Sequence, residues 1–101
     1  MNKYTVVISE QAQQDLRDLS NIISFEYKSP VTAIKYLREI YGVMRKLRTH
    51  AESYSIQSTS YFSQYGFNIR RVNYKKMAII YTVIHNTAYI KRVVPASIIT
   101  G

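Results

Sequence analysis

Cysteine is absent from this 101-residue sequence, which excludes a disulfide framework and any metal site built on thiolates. Glycine and proline are scarce, at three and two positions, so a collagen-like repeat and a low-complexity disordered chain are excluded as well. No run of about 18 apolar residues occurs, and the first residues have the pattern of a strand, not of a secretory signal. These absences predict a small cytoplasmic protein with no membrane partner, in which residues 1–101 form a single domain.

Acidic residues are absent from the C-terminal half. All six of them lie at or before Glu52, although the whole chain carries 14 Lys and Arg residues and a net charge of +8. Such segregation favours a polyanion or an acidic protein as partner, because unpaired bases on one surface attract negative charge. The alternative is that the positive charge serves solubility only. The bases from Ser53 onward are Arg70, Arg71, Lys75, Lys76, Lys91 and Arg92.

The N-terminal half has the pattern of one strand followed by two helices. Residues 4–8 are rich in β-branched side chains and predict a strand, and Ser9 is a good N-cap for a helix. Ser29-Pro30 marks a second helix start, because proline is tolerated at the first helical position. Residues 10–50 should therefore form an antiparallel helical hairpin with its apolar stripes facing a sheet. The stripes comprise Ala12, Leu16, Leu19, Ile23 and Tyr27, then Ile34, Leu37, Ile40, Met44 and Leu47.

The C-terminal half has the pattern of a three-stranded meander. Residues 50–65 show no clear period and predict a loop. Strands are predicted at 67–74, 77–84 and 88–94, joined by a turn at Lys75-Lys76 and by a hairpin at 85–87. The middle strand is almost wholly apolar, which predicts a central position covered on at least one face. The predicted fold is α+β in two layers, with the order β-α-α-β-β-β.

Sites for metals or cofactors are not predicted. His50 and His85 are the only histidines, and neither has a histidine or carboxylate three or four positions away. A nucleophile elbow and a glycine-rich phosphate loop are also missing from the sequence. The acidic residues fall on or beside the predicted helices, where we expect them to form mostly a solvated face.

A cationic face of the sheet is the strongest candidate for a binding site. Alternation along the strand places Arg71 and Asn73 on one face and Arg70 and Tyr74 on the other, and the same alternation should separate Lys91 from Arg92. Such bases bind phosphates, and tyrosine rings can stack on nucleic-acid bases. The alternative is that the tyrosines pack the sheet and the lysines protect a hairpin. The predicted binding residues are Arg70, Arg71, Lys75, Lys76, Lys91, Arg92, Tyr74 and Tyr89.

Three ordered motifs resemble the RelE/ParE superfamily of bacterial toxins, over nearly the whole chain. Members of type II toxin–antitoxin pairs, often called plasmid stabilisation proteins, have a helical hairpin packed on an antiparallel sheet. The motifs are Tyr4-x-Val6-x-Ile8-Ser9-x-x-Ala12-x-x-Asp15-Leu16, then Ser29-Pro30-x-x-Ala33-x-x-Tyr36-Leu37, and the run from Tyr65 to Tyr74 with Ile79-Ile80-Tyr81-Thr82-Val83 and Ile90-Lys91-Arg92-Val93.

The resemblance implies a toxin, and the branch decides its target. RelE-like members cleave mRNA on the ribosome and usually carry an arginine where this sequence has Met77-Ala78. ParE-like members inhibit DNA gyrase and lack the ribonuclease residues, and the Ser29-Pro30 helix start is more typical of them. We therefore expect a gyrase poison neutralised by an acidic cognate antitoxin, in a possible hetero-oligomer. The alternatives are a metal-free ribonuclease, with Lys75, Lys76 or Arg71 as catalytic candidates, and an inactive antitoxin-binding relative.

Overall fold

The computed structural model describes residues 3–100. Its elements follow the predicted order β-α-α-β-β-β, with two short 3₁₀ helices added. They are β1 (Thr5–Ile8), α1 (Glu10–Tyr27), α2 (Pro30–His50), a first 3₁₀ helix (Ser60–Tyr65), β2 (Ile69–Tyr74), β3 (Met77–Ile84), β4 (Thr87–Pro95) and a second 3₁₀ helix (Ala96–Ile98).

Both helices begin at the predicted caps. The Ser9 hydroxyl accepts a hydrogen bond from the Ala12 backbone N–H at 3.0 Å and donates one to the Lys91 carbonyl at 3.0 Å. The start of α1 is therefore attached to β4. Ser29 accepts from the Thr32 N–H at 3.3 Å, and Pro30 occupies the first turn of α2.

The four strands form one mixed sheet in the order β1-β4-β3-β2. Strands β2, β3 and β4 make the predicted antiparallel meander. The resemblance implied an antiparallel sheet, whereas β1 pairs in parallel with β4, from Thr5 opposite Thr87 to Ile8 opposite Ile90. The long connection through two helices and the meander permits a parallel pairing, which a tight hairpin could not make.

Apolar side chains cover both faces of the sheet, and β3 is central as predicted. On one face the helical hairpin packs Leu16, Ile40 and Met44 against Ile79, Tyr81 and Ile90. On the other face Phe62 of the first 3₁₀ helix packs against Ile69, Ala78, Ile80 and Val94. The prediction of a loop over residues 50–65 is wrong for Ser60–Tyr65, because these residues form a 3₁₀ helix that packs on the second face of the sheet.

Two members of the predicted apolar stripes do not face the sheet. Ile34 is 58% exposed and Tyr27 is 66% exposed, whereas Leu16, Ile23, Ile40 and Met44 are buried. A spacing of three residues drifts by about 60° per step around a helix, so Ile34 turns away from the face that holds Ile40. Ala33 takes the buried position instead.

Candidate binding surfaces

Arg92 has a structural role, because its guanidinium forms a salt bridge with Asp15 of α1. Its Nε and Nη2 atoms donate to the Asp15 carboxylate at 2.8 and 3.1 Å, and the Val93 backbone N–H donates to the same carboxylate at 2.9 Å. The pairing of β1 with β4 ends at Ile90. Beyond this point the Asp15 carboxylate takes the place of a neighbouring strand as hydrogen-bond acceptor for the Val93 N–H at the edge of β4. The hydrogen bond that Arg92 donates to Asp15 raises the pKa of the Arg92 guanidinium.

Arg70 also has a structural role. Its Nη1 atom donates to the backbone carbonyls of Glu52 and Tyr54, at 3.2 and 2.5 Å. The same chain region is held by a second bond, in which the Tyr4 hydroxyl donates to the Glu52 carboxylate at 2.6 Å. Arg70 therefore fastens the segment after α2 to the sheet. The expectation that the acids are mostly solvated is wrong for Asp15, whose side chain is only 8% exposed, whereas Glu52 is exposed and accepts one hydrogen bond from a distant part of the chain.

A β-bulge changes the face on which Lys91 and Arg92 lie. Tyr81 pairs with Ile90 and Ile80 pairs with Arg92, which leaves Lys91 as the extra residue. Arg92 is thus opposite Ile80, on the face away from the helices, and Lys91 lines a depression on that face beside Thr82. The predicted separation of the two bases between faces is wrong for this reason.

Arg71 and Tyr89 lie on the same face as this depression. Arg71 pairs with Ile80, which belongs to the core cluster away from the helices, and cross-strand partners share a face. Tyr89 pairs with Thr82 and with Val7 and is partly exposed. The predicted alternation of Arg71 against Arg70, Val72 and Tyr74 agrees with the packing, since Val72 and Tyr74 contact the helix-side core.

Lys75 lies at a separate corner, among aromatic rings. Its Nζ atom is 5.5 Å from the centroid of the Tyr74 ring and 5.7 Å from that of Tyr36, within the range of cation–π attraction. The Tyr74 hydroxyl donates to Glu39, so a third acid has a partner. Burial and this hydrogen bond raise the pKa of Tyr74 to about 12, and the same bond lowers the pKa of Glu39.

Lys75 and Lys76 stand at the rim of a large groove. The groove, which we call the tip groove, has a volume of about 540 Å³ and lies between the end of the helical hairpin at which α1 turns into α2 and the β2–β3 turn. Its walls are mainly apolar and carry one acid. The lining residues are Leu19, Ile22, Ile23, Glu26, Tyr27, Thr32, Tyr36, Lys75 and Lys76.

Large apolar side chains also lie exposed around this end of the hairpin. Phe25, Val31 and Ile34 are exposed beside Ile22 and Tyr27 of the tip groove. An apolar cluster of this kind is typical of a surface that another molecule covers. Sequence reasoning missed it by assigning Tyr27 and Ile34 to the core; the available signal was the presence of apolar residues at Ile22, Phe25 and Val31, outside the predicted stripes.

The predicted site is therefore divided among several places. Arg70 and Arg92 hold the fold together, Arg71, Lys91 and Tyr89 lie on the sheet face away from the helices, and Lys75, Lys76 and Tyr74 lie at or beside the tip groove. Within residues 3–100, no three His, Asp or Glu side chains gather to hold a metal ion. No helix in the same part of the chain is long and apolar enough to cross a membrane.

Comparison with known proteins finds one family and a similar solved structure. The model of a family described as "ParE toxin of type II toxin-antitoxin system, parDE" matches residues 6–99. A solved structure described as "Chromosomal ParDE TA system from P. aeruginosa" superposes with a TM-score of 0.76 at 14% identity, over 92% of this chain and 96% of that chain. At this identity the likeness shows the fold alone. No curated protein matches the sequence.

Proposed function

We propose that this chain, which belongs to the family of ParE toxins of type II toxin–antitoxin systems, inhibits growth in the cytoplasm by acting on DNA gyrase. We further propose that a cognate acidic antitoxin neutralises it by binding in the tip groove. The observation that carries the second proposal is the groove itself, where apolar walls meet two lysines at one rim. Gyrase as the target rests on family membership.

The chemistry of the tip groove fits an amphipathic protein segment. Protein interfaces depend on a few apolar or aromatic anchors in pockets, with charged groups at the rim. Ile22 and Tyr27 offer apolar contact area in the groove, and Lys75 and Lys76 offer positive charge beside it. Because Lys75 is already placed by two rings, little side-chain entropy is lost when it meets a carboxylate.

A ribonuclease activity finds less support in the described residues. General base, general acid and cationic stabiliser must converge on one phosphate. Lys75 and Lys76 lie at the β2–β3 turn near the helical hairpin, whereas Arg71 lies on the sheet face away from the helices. Arg92 is held by Asp15. The catalytic candidates from the sequence are thus not brought together.

The target is tested by inducing the toxin and measuring two activities in parallel. We expect growth arrest, inhibition of supercoiling by purified gyrase at low micromolar toxin, and no new 5′ ends in cellular mRNA by primer extension. New mRNA ends with unimpaired gyrase would overturn the proposed target in favour of the ribonuclease. Growth without arrest, at normal toxin levels, would indicate an antitoxin-binding relative that has lost toxicity.

The groove is tested with Ile22→Ser and a matched control, Ile84→Ser. The two isoleucines are similarly exposed, at 57% and 51%, but Ile84 lies outside the tip groove. We expect Ile22→Ser to weaken antitoxin binding about tenfold by titration calorimetry, the usual size for an interface anchor, and Ile84→Ser to change it less than twofold. Equal effects of the two substitutions would rule out the tip groove as the antitoxin site.

The rim lysines are tested by kinetics. Lys75→Gln/Lys76→Gln should slow antitoxin association at low salt and have little effect above about 0.5 M salt, because steering by charge is screened there. Stopped-flow fluorescence at several salt concentrations measures the rate. An association rate that is the same in wild type and variant at every salt concentration would contradict the electrostatic part.

A further inference from the structure

The outer face of α2 carries a set of bases that the tip groove does not use. All five bases of the helix are exposed: Lys35, Arg38, Arg45, Lys46 and Arg48. The single acid of α2, Glu39, accepts a hydrogen bond from Tyr74. The one salt bridge within residues 3–100 joins Asp15 to Arg92, so none of the five bases forms one. Glu39 nevertheless lies near enough to Lys35 for their attraction to contribute to the lowered pKa of Glu39. The net charge of the N-terminal half does not reveal this surface, because all six acidic residues of the chain lie in the same half.

Helix geometry arranges four of these bases in two rows. Arg38 and Arg45 are seven residues apart and lie on one side of the helix, about 10 Å apart along its axis. Lys35 and Lys46 are eleven residues apart and form a neighbouring row of about 16 Å. Such regular spacing on a rigid helix presents positive charge at fixed distances.

Gly42 opens a shallow depression between the rows. A Cβ atom at Gly42 would have nothing within 4 Å, and the depression has a volume of about 410 Å³. Its lining comprises Glu39, Gly42, Val43, Arg45 and Lys46. A partner can therefore approach the helix backbone closely here, with bases beside it.

The rows lack the apolar anchors that a protein partner would need. Val31 and Ile34 belong to the first turns of α2, before the rows begin, and Tyr41 lines the cleft toward α1 with Arg17 and Ser20. Phosphate groups need only bases for binding, and double-stranded DNA presents about one negative charge per 1.7 Å of its axis. Single strands are typically held by stacked aromatic rings, which the rows do not contain.

We propose that the outer face of α2 binds the phosphate backbone of duplex DNA without reading its sequence. The surface is separate from the tip groove, so the inference rests neither on gyrase nor on the antitoxin as partner. A toxin held on DNA in this way would leave its tip groove free for a protein.

The test compares two double substitutions that remove the same charge. Arg38→Gln/Lys46→Gln takes one base from each row, and Arg17→Gln/Lys28→Gln takes one Arg and one Lys, likewise exposed, from outside α2. The probe is a fluorescein-labelled 20-base-pair duplex of arbitrary sequence, titrated with the full chain by fluorescence anisotropy between 0.05 and about 0.3 M salt. Glutamine has a helix propensity close to that of lysine and arginine, and thermal melts check that both variants are folded.

We expect the α2 pair to weaken DNA binding about tenfold at about 0.1 M salt and to reduce the slope of log K against log salt by about two. The control pair should change the affinity less than threefold. Equal losses in both variants would mean that net charge alone is responsible, and would overturn the proposal. A single-stranded 20-mer bound as tightly, with the same loss, would overturn duplex DNA as the occupant. An unchanged DNA affinity with weakened antitoxin binding would assign the face to a protein.

Discussion

Replacing Asp15 by alanine should destabilise the protein strongly, although the sequence predicted that the acidic residues of the helices form mostly a solvated face. Its side chain is only 8% exposed and accepts four hydrogen bonds, two from Arg92, one from the Val93 backbone and one from the Gln11 side chain. Removing one partner of a buried ion pair costs about 3–5 kcal/mol. Arg92 is 34% exposed and can be hydrated when Asp15 is lost, which reduces this cost to about half. The Val93 N–H left without an acceptor adds about 1 kcal/mol.

The expected loss is therefore about 2.5–3.5 kcal/mol, which for a domain of this size lowers Tm by about 10–25 °C. Urea denaturation and calorimetry measure the two quantities. Asp18→Ala is the matched control, because Asp18 lies on the exposed side of the same helix and accepts only one hydrogen bond, from Gln14 at 2.8 Å. Its loss should stay within about 0.5 kcal/mol.

A double-mutant cycle separates the ion pair from its surroundings. Arg92→Ala alone should also destabilise the fold, and the double variant with Asp15→Ala should lose about 1–2 kcal/mol less than the sum of the single losses. Reduced toxicity of Arg92→Ala would then follow from instability. The reasoning is refuted if Asp15→Ala melts within about 2 °C of the wild type, or if the two losses are additive.

Three other predictions concern parts of the fold that hold the surfaces in place. Phe62→Ala should cost about 3–4 kcal/mol in urea denaturation, because Phe62 fills the core away from the helices, and an unchanged midpoint would contradict this role. Arg70→Ala should speed limited proteolysis within residues 52–59, because the arginine holds two carbonyls there, and identical cleavage rates would speak against it. The hydrogen bond from Tyr74 lowers the pKa of Glu39 below its usual 4.5, so its stabilisation is present above about pH 5 and is lost as the pH falls through the folded value. The stability difference between wild type and Glu39→Gln should shrink on acidification, and a difference that grew would show the sign to be wrong.

Local signals predicted the frame of this fold well. Ser9 and Pro30 mark helix starts through contacts within one turn, and the apolar run Met77–Ile84 marks the central strand through burial on both faces. The second core could not be predicted in this way. Phe62 reaches the sheet only because residues 50–65 fold back against the face away from the helices. The apolar residues of that segment follow no helical or strand period from which this packing could be predicted.

The candidate site was predicted less well than the frame, because charge was counted along the chain while its pairing is set in space. The acid-free C-terminal half was expected to present its six bases to a partner. Arg70 and Arg92 instead contact residues 16 to 77 positions away within the chain. Strand alternation could not anticipate the bulge at Lys91 either, since one extra residue reverses the face of all that follow.

The pairing of the acids explains where free positive charge remains. Asp15, Glu39 and Glu52 lie in the N-terminal half, and each accepts a hydrogen bond from a residue distant in sequence. None of these three carboxylates forms a salt bridge with an exposed base of α2, although Glu39 attracts Lys35. The half with the smaller net charge therefore carries a strongly basic outer face. Exposed apolar anchors accompany the bases at the tip groove, whereas the depression on α2 has only the half-buried Val43. This difference is why we assign the first surface to a protein and the second to DNA.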